Sequence, residues 1–213
     1  MRIIDVRRQE LPALVCAAAW FFCVLAAYYT LRPVRETFAS ELTSGQRANL
    51  FTLTLVVMLI ATPLYGLVVA RVAKRWLVPT VYGFFIANLA VFWSLTAQDN
   101  PPAWFSHAFF VWISVFNLFV VTFFWGTIVD LFNGEQGKRL FGLIFGAGTV
   151  GQLVSSWAVQ ELTPTIGTSG LLWISGMLLG IAIVCAWQLR LLMPSRQSIR
   201  APTPTTNNSW SLA

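Results

Sequence analysis

Six long apolar runs alternate with short polar segments along the chain. They cover about Leu11–Leu31, Leu50–Ala70, Leu77–Ala97, His107–Val129, Phe141–Gln160 and Ser169–Leu189. A helix that crosses a bilayer needs roughly 20 predominantly apolar residues, whereas a membrane β-strand alternates over about ten. The pattern therefore predicts an all-α membrane protein whose residues 11–193 form a transmembrane domain of six helices. The fifth run, rich in Gly and Ser, is the least hydrophobic of the six.

The polar segments predict how the helices are oriented in the membrane. Basic residues follow the second and fourth runs, whereas the loops after the third and fifth runs contain no Lys or Arg. Because cytoplasmic loops carry the excess of basic residues, both tails, residues 1–10 and 194–213, are predicted to be cytoplasmic. The second tail is rich in Pro, Thr, Ser and Asn, which predicts disorder. The first external loop breaks the pattern, since it holds Arg32, Arg35 and Arg47.

Composition excludes several function classes. The chain is 57% hydrophobic and only 10% charged, where soluble domains have roughly 25% charged residues. The net charge of +6 comes from scattered bases, so membrane lipid is the expected environment and nucleic acid is not an expected partner. With three cysteines inside apolar runs and a single histidine, no metal, cofactor or redox site is expected. No nucleophile and base form a convincing pair, so enzyme activity is not expected either.

The stretch AAYYTLRPVRETF ends the first run and contains the candidate ligand-binding residues. On a helix, Tyr28, Arg32 and Arg35 share one face, and Glu36 stands four residues after Arg32, where the two can form an ion pair. Pro33 is expected to kink or end the helix. Two guanidinium groups can bind a phosphate or carboxylate through paired hydrogen bonds. The alternative is a pair of interfacial arginines that reach toward lipid headgroups.

Two groups of charged residues are candidates for gating contacts on the cytoplasmic side. Arg71, Lys74 and Arg75 form a cationic turn after the second run. Asp130 ends the fourth run, and the candidate partners for an ion-pair cluster that opens and closes with the helices are Glu135, Lys138 and Arg139. The alternatives are charges that set only the topology, and a solvated loop in which surface ion pairs contribute little.

Small and polar residues inside the spans suggest helix contacts. GAGTVG matches a dinucleotide-binding pattern, but no βαβ unit surrounds it. Close helix approach is expected instead at Gly66, Gly142, Gly146 and Gly151. Polar residues within the spans include Asn88, Asn117, Thr122, Gln152, Ser155 and Ser156. Of these, Asn117 and Gln152 are candidates for a substrate cavity, although single amides in spans also join neighbouring helices.

Two stretches, YYTLRPVRETF and FFWGTIVDLFNGEQGKRLFGLIFGAGTVGQ, together resemble the ATP/ADP translocase-like branch of the major facilitator transporters. The resemblance covers about residues 10–190. It implies transport of nucleotides or another anionic metabolite by alternating access, in a bacterial inner membrane. It also implies that Arg35 first, and Arg32 second, binds the phosphates. The superfamily carries a glycine, an acid and clustered bases between helices two and three; here Gly66 and the bases match, but Ala70 stands near the position of the acid.

The same resemblance implies a second half. Transporters of this type have twelve helices in two halves, each built of two inverted three-helix repeats. The six predicted spans fill one half, so a second six-helix half is expected as partner, supplied by a missing C-terminal region or by dimerisation. We expect truncation rather than a dimer, because one half alone leaves its cavity open to lipid. A non-transporting assembly partner or an inactive fragment is the alternative function.

Overall fold

The chain is all-helical in a computed structural model that describes residues 10–40, 42–96, 102, 104–132 and 134–193, with only the backbone for residues 134–139. The described residues form five helices and no strand: α1 Leu11–Ser40, α2 Ser44–Arg71, α3 Lys74–Thr96, α4 Phe105–Leu131 and α5 Gly134–Leu192. All five contain apolar stretches long enough to cross a membrane. The all-α prediction is confirmed, and the tails 1–9 and 194–213 lie outside the described residues.

Six separate helices are not found, because the fifth and sixth predicted runs both lie in α5. This element has 59 residues, and its two helical parts adjoin at a kink without an intervening loop. Gly167, with φ of 63° and ψ of −173°, is the one residue within it recorded as non-helical. Such a backbone conformation is open almost only to glycine. α5 therefore consists of a first arm, residues 134–166, and a second arm, residues 168–192, on either side of a kink.

The two arms of α5 fold back onto the same helix. Gly148 of the first arm lies against Phe21 of α1, and Ser175 of the second arm donates a hydrogen bond of 3.1 Å to the Ala27 carbonyl of α1. In a straight helix, residues 148 and 175 would be about 40 Å apart, whereas residues 21 and 27 of α1 are separated by only about 9 Å. Both contacts are possible only if the chain reverses direction at Gly167.

The contacts also fix the direction of each arm. The second arm runs antiparallel to α1, because Ser175 contacts Ala27 whereas Gln188 accepts from the Cys16 thiol at 3.9 Å. Gly167 therefore lies at the end of the bundle where α1 finishes. We call this the arginine end, since it holds Arg32 and Arg35. The first arm crosses α1 near Phe22 and continues toward the arginine end.

A buried aromatic cluster joins three of the helices. Trp20 of α1 donates its indole hydrogen to the Tyr82 hydroxyl of α3 at 3.3 Å, and that hydroxyl donates to the Val120 carbonyl of α4 at 2.8 Å. Phe124 stands edge-on to Trp20 with ring centroids 4.9 Å apart. The polar atoms of this cluster satisfy one another, as buried polar groups must in a membrane.

The end of α1 differs from its prediction. Pro33 does not end the helix, which continues to Ser40. A proline removes one backbone hydrogen bond but leaves later residues free to make theirs, and the Thr37 hydroxyl donates to the Pro33 carbonyl at 3.0 Å. Arg32 and Arg35 are consequently helical rather than part of an external loop, and Arg47 lies in the first turns of α2.

Candidate functional site

Arg35 is the most constrained of the predicted ligand-binding residues. Its guanidinium lies over the Phe110 ring of α4, 5.3 Å from the ring centroid, and only 19% of its side chain is exposed. One terminal nitrogen, Nη2, pairs with the Glu36 carboxylate. Its Nε is buried and has no hydrogen-bond partner among the residues that the structure describes. A half-buried cation with an unpaired donor is costly, and an external acceptor atom would stabilise it.

Arg32 has a different environment. It is exposed, and its guanidinium lies 5.6 Å from the centroid of the Tyr29 ring. The predicted pairing of Glu36 with Arg32 is wrong, because the carboxylate pairs with Arg35 instead. The Glu36 side chain is 54% exposed, whereas the Arg35 side chain that it pairs with is only 19% exposed. Ion pairs are stronger where water is partly excluded. The structure therefore separates the two arginines: Arg35 faces α4, and Arg32 is free toward solvent or ligand.

The contacts between α1 and α4 bring Tyr28 and Asn117 to the same level. The two helices are antiparallel, because Phe21 stacks on Phe124 while Phe38 stands edge-on to Phe105. Tyr28 lies midway between the α1 contacts, and Asn117 midway between those of α4. Both are half-buried.

Asn117 also shares a face of α4 with Phe110, the residue whose ring lies beneath the Arg35 guanidinium. Asn117 stands seven residues after Phe110, and Ser114 stands four residues after Phe110. These three residues therefore lie on one face of α4. Arg35, Tyr28 and Asn117 therefore line the α1–α4 boundary toward the arginine end.

Gln152 lies beside a part of α1 that is further from the arginines than the level of Tyr28 and Asn117. It is half-buried on the first arm of α5, beside Gly151, whose added Cβ would be 2.6 Å from the Phe22 carbonyl oxygen. Arg32 stands ten residues beyond Phe22, or about 15 Å along the helix. The site predicted from sequence is thus an extended arrangement rather than one cluster, and Arg35 with Glu36 is the one pair in it recorded in direct polar contact.

The glycines predicted to allow close helix approach divide into two groups. Gly151 lies directly against the α1 backbone. At Gly66, Gly142 and Gly146 an added Cβ would meet no described atom within 4 Å, so the expected close contact is not found there. Gly148, which was not predicted, is the tightest: its added Cβ would be 2.3 Å from Phe21 Cδ1. Spacing alone could not select the glycines that face α1.

Charged residues meet at the opposite end of the bundle, which we call the basic end. Lys74 Nζ lies 2.7 Å from Asp130 Oδ2, and both side chains are 52% exposed. Arg190, near the end of the second arm, donates to the Lys74 carbonyl. These contacts join the start of α3, the end of α4 and the end of α5. Sequence reasoning did not identify Arg190, since only the tertiary fold brings residues 74, 130 and 190 together.

The other predicted gating residues are only partly placed. Arg71 is the last residue of α2 and is exposed. Arg75 lies in the first turn of α3 with its guanidinium 6.0 Å from the Trp76 ring centroid. The side chains of Glu135, Lys138 and Arg139 are outside the described residues, so their predicted pairing with Asp130 stays a prediction.

A cavity that the sequence did not predict lies between α2, α3 and α4. Its volume is about 850 Å³, and helix α2 borders it loosely, with Leu50, Thr54 and Ala61 as its buried residues. The walls are almost entirely apolar and include Leu64, Phe84 and Phe119. Its described lining includes His107 but no arginine or lysine.

Comparison of the chain with protein-family models, with curated proteins and with solved structures found no match.

Proposed function

We propose that this chain is an integral membrane secondary transporter, or one half of such a transporter, for nucleotides or other anionic metabolites. The observation that carries the proposal is Arg35: a half-buried cation at the arginine end with a buried Nε that has no partner among the described residues. A phosphate or carboxylate oxygen that accepts from this nitrogen would remove the cost of the unpaired donor. The resemblance of YYTLRPVRETF to nucleotide transporters supports the same assignment.

Glu36 gives the site a means of exchange. Its carboxylate pairs with Arg35 Nη2 and is largely exposed, so an arriving anion competes with Glu36 for the guanidinium. The carboxylate leaves the pair for solvent as the ligand binds and returns when the ligand leaves. This keeps the charge of Arg35 compensated in both states, which matters because an isolated charge inside a membrane protein is expensive.

The arrangement of helices supports six membrane crossings. The two arms of α5 both lie against α1 and reverse at Gly167, so each arm provides one crossing. The basic end gathers Arg71, Lys74 and Arg190, and a concentration of basic residues favours the cytoplasmic side. The arginine end then opens to the opposite side, in a membrane that we take to be a bacterial inner membrane. A second six-helix half, in the same polypeptide or in another copy, would close the ligand cavity.

The contacts at the basic end have a role in alternating access. Lys74, Asp130 and Arg190 tie α3, α4 and the second arm together at the end remote from Arg35. Both charged side chains of the Lys74–Asp130 pair are about half exposed, so the pair is easily exchanged for water. It can therefore hold one conformation and release it at little cost.

Ligand-dependent thermal stabilisation of the purified protein in detergent tests the proposal. ADP, ATP and inorganic phosphate are added separately, and the unfolding midpoint is measured for the wild type and for the double variant Arg32→Ala, Arg35→Ala. We expect stabilisation that the double variant loses. Arg71→Ala is the matched control, since Arg71 is exposed at the basic end, and it should keep the response. Stabilisation that survives in the double variant overturns the arginine assignment.

A non-transporting assembly partner is the second candidate. The observation in its favour is α2, a helix of 28 residues with few buried side chains and an apolar surface that a partner helix could cover. Stable co-purification with another membrane chain, together with no response to any anion, would favour this function.

A further inference from the structure

The first arm of α5 carries a continuous line of polar side chains within the membrane-spanning region. Its members are separated by three or four residues, so at about 100° per residue they lie within about 80° of one another around the helix. We call them the polar stripe: Thr149, Gln152, Ser156, Gln160 and Thr163. Three of them are exposed, and Gln152 and Ser156 are half-buried.

The polar stripe is not the face by which the first arm is packed. The buried side of this arm consists of Leu140, Ile144, Gly148, Gly151, Ser155 and Val159. A second side is open to the surroundings; it is apolar as far as Trp157 and ends at the exposed Glu161, with Val150, Val154 and Trp157 exposed by 51%, 46% and 65%. The polar stripe lies between these two sides. It is thus neither needed for packing against α1 nor part of the apolar surface that suits lipid.

Lipid is an unsuitable neighbour for this stripe. The threonine hydroxyls at its two ends donate to carbonyls of their own helix, Thr149 to Phe145 and Thr163 to Val159. The carboxamides of Gln152 and Gln160 carry two donors each and cannot be satisfied by hydrocarbon. Polar residues at membrane depth face either a water-filled space or other protein groups.

The position of the stripe favours a water-filled space that leads to the arginines. The first arm crosses α1 where Gly148 and Gly151 meet Leu25 and Phe22, and it continues toward the arginine end. The face of α1 that carries Leu25 continues with Tyr29, Arg32 and Glu36, at four, seven and eleven residues further on. Arg32 and Glu36 on that face are exposed. Beyond the crossing, both helices therefore carry polar side chains toward the arginine end.

We infer that the polar stripe is a hydrated wall of the passage to Arg32 and Arg35, and that Gln152, Ser156 and Gln160 bind the uncharged polar part of the ligand. The division of chemistry is complementary. Guanidinium groups bind the charged oxygens, while carboxamides and hydroxyls can donate to and accept from a sugar or base. The claim about hydration is independent of the proposed function; the claim about ligand contact rests on it.

Cysteine accessibility tests the hydrated wall. Single cysteines replace Gln152, Ser156 or Gln160 in the full chain, after Cys16, Cys23 and Cys185 have been changed to alanine. The protein in membrane vesicles is treated with a membrane-impermeant charged thiosulfonate, and matched controls carry cysteine at Val150, Val154 or Trp157. Thiosulfonates react with the thiolate, which forms in water and not in hydrocarbon. We expect the three stripe positions to react at least several-fold faster than the three controls.

Two measurements make each outcome decisive. Labelling after denaturation must be equal at all six positions, and the unfolding midpoint must match that of the cysteine-free parent, so that slow labelling reports burial rather than misfolding. Equal labelling of stripe and control positions, or no labelling of the stripe, overturns the hydrated wall. If the unlabelled stripe cysteines instead crosslink two copies of the chain, the stripe is a dimer interface.

Protection by ligand separates this inference from the proposed function. ADP at saturating concentration should slow labelling at the stripe, and the Arg32→Ala, Arg35→Ala background should abolish the protection. Labelling without protection by ADP, ATP or phosphate leaves the hydrated wall in place and removes the ligand contact. Thermal stabilisation by the same anions then decides separately whether the anion site stands. Protection that persists without the arginines keeps the ligand contact and removes only the arginine assignment.

Discussion

Lys74 and Asp130 form an ion pair with an N–O distance of 2.7 Å across 56 residues of sequence. Lys74 opens α3 and Asp130 lies one residue before the end of α4, so the pair joins the two helices at the basic end. Arg190 donates to the carbonyl of the same lysine and adds the second arm of α5 to the contact. One residue thus holds three helices through its side chain and its backbone.

The first prediction concerns the strength of this pair. Both side chains are about half exposed, so a double-mutant cycle with Lys74→Ala and Asp130→Ala should give a coupling of about 0.2–1 kcal/mol. Thermal unfolding in detergent measures it. The coupling should shrink at high salt because exposed charges are screened. A coupling of several kcal/mol that does not respond to salt would show that the pair is buried in the functional assembly.

The second prediction uses two glycines of the same arm. Gly151→Ala places a methyl group 2.6 Å from the backbone oxygen of Phe22, which cannot move without displacing α1. We expect destabilisation of about 1–3 kcal/mol. Gly146→Ala is the control, since no described atom lies within 4 Å of the added carbon. This change should be neutral or should stabilise the helix, by up to about 1 kcal/mol. Equal unfolding midpoints for the two variants would contradict the α1–α5 crossing.

The third prediction concerns the kink in α5. Gly167 has φ of 63° and ψ of −173°, and a side chain there strains the backbone by about 1–3 kcal/mol. Gly167→Ala should lower the free energy of unfolding by that amount, or straighten α5 and release one arm from α1. Gly180→Ala, in the helical part of the second arm with open space around it, is the control. Crosslinking between cysteines placed at Ala27 and Ser175 reports whether the second arm has detached; unchanged crosslinking with unchanged stability argues against the strained kink.

The fourth prediction concerns the buried aromatic cluster. Tyr82→Phe removes the hydroxyl that accepts from Trp20 and donates to the Val120 carbonyl. The Trp20 indole N–H is then left unpaired in a fully buried position, so we expect a loss of about 1–3 kcal/mol. The double variant with Trp20→Phe removes both hydrogen-bonding groups, which tests whether the cost comes from the unpaired donor. If the single change has no effect on the unfolding midpoint, the hydrogen bonds contribute little.

Run length predicted most of the architecture, because membrane spans need a minimum number of apolar residues. It placed α3 and α4 within about three residues of their ends, but it began the second run at Leu50 although α2 begins at Ser44. It misjudged α1, since Arg32, Pro33 and Arg35 are typical of a helix end and yet lie within α1, which continues to Ser40. It also ended one run at Gln160 and began the next at Ser169, whereas in α5 the two helical parts meet at Gly167 with no loop between them. The residues between the two predicted runs remain helical up to Gly167.

The candidate site was predictable in its members but not in its contacts. Helical spacing predicted that Arg32 and Arg35 share one face of α1, but Arg35 lies over Phe110 of α4 whereas Arg32 is exposed. The predicted pairing of Glu36 with Arg32 ignored burial, since Glu36 pairs with Arg35, the less exposed arginine. The spacing of glycines predicted that some would contact another helix. It could not identify Gly148 and Gly151 as the ones that do, since the rotation of the first arm depends on where α1 lies.

The last prediction distinguishes the charge of Arg35 from its shape. Arg35→Lys keeps the positive charge, but an ammonium is a point charge without the planar fork that binds two phosphate oxygens at once. Lysine also has no counterpart of the buried Nε that lacks a partner in the described structure. We therefore expect Arg35→Lys to retain only part of the stabilisation by ADP, with an affinity loss of about 1.5–3 kcal/mol, as for one hydrogen bond to a charged group.

The affinity for ADP is obtained by measuring the unfolding midpoint at a series of ADP concentrations. The conservative change is compared with Arg35→Ala and with the wild type, and Arg71→Lys at the opposite end serves as the control. Full retention of binding by Arg35→Lys would mean that the site attracts anions by charge alone. In that case the orphaned Nε of Arg35 is not the group that binds the ligand, and Arg32, which is exposed beside Tyr29, becomes the residue to change next.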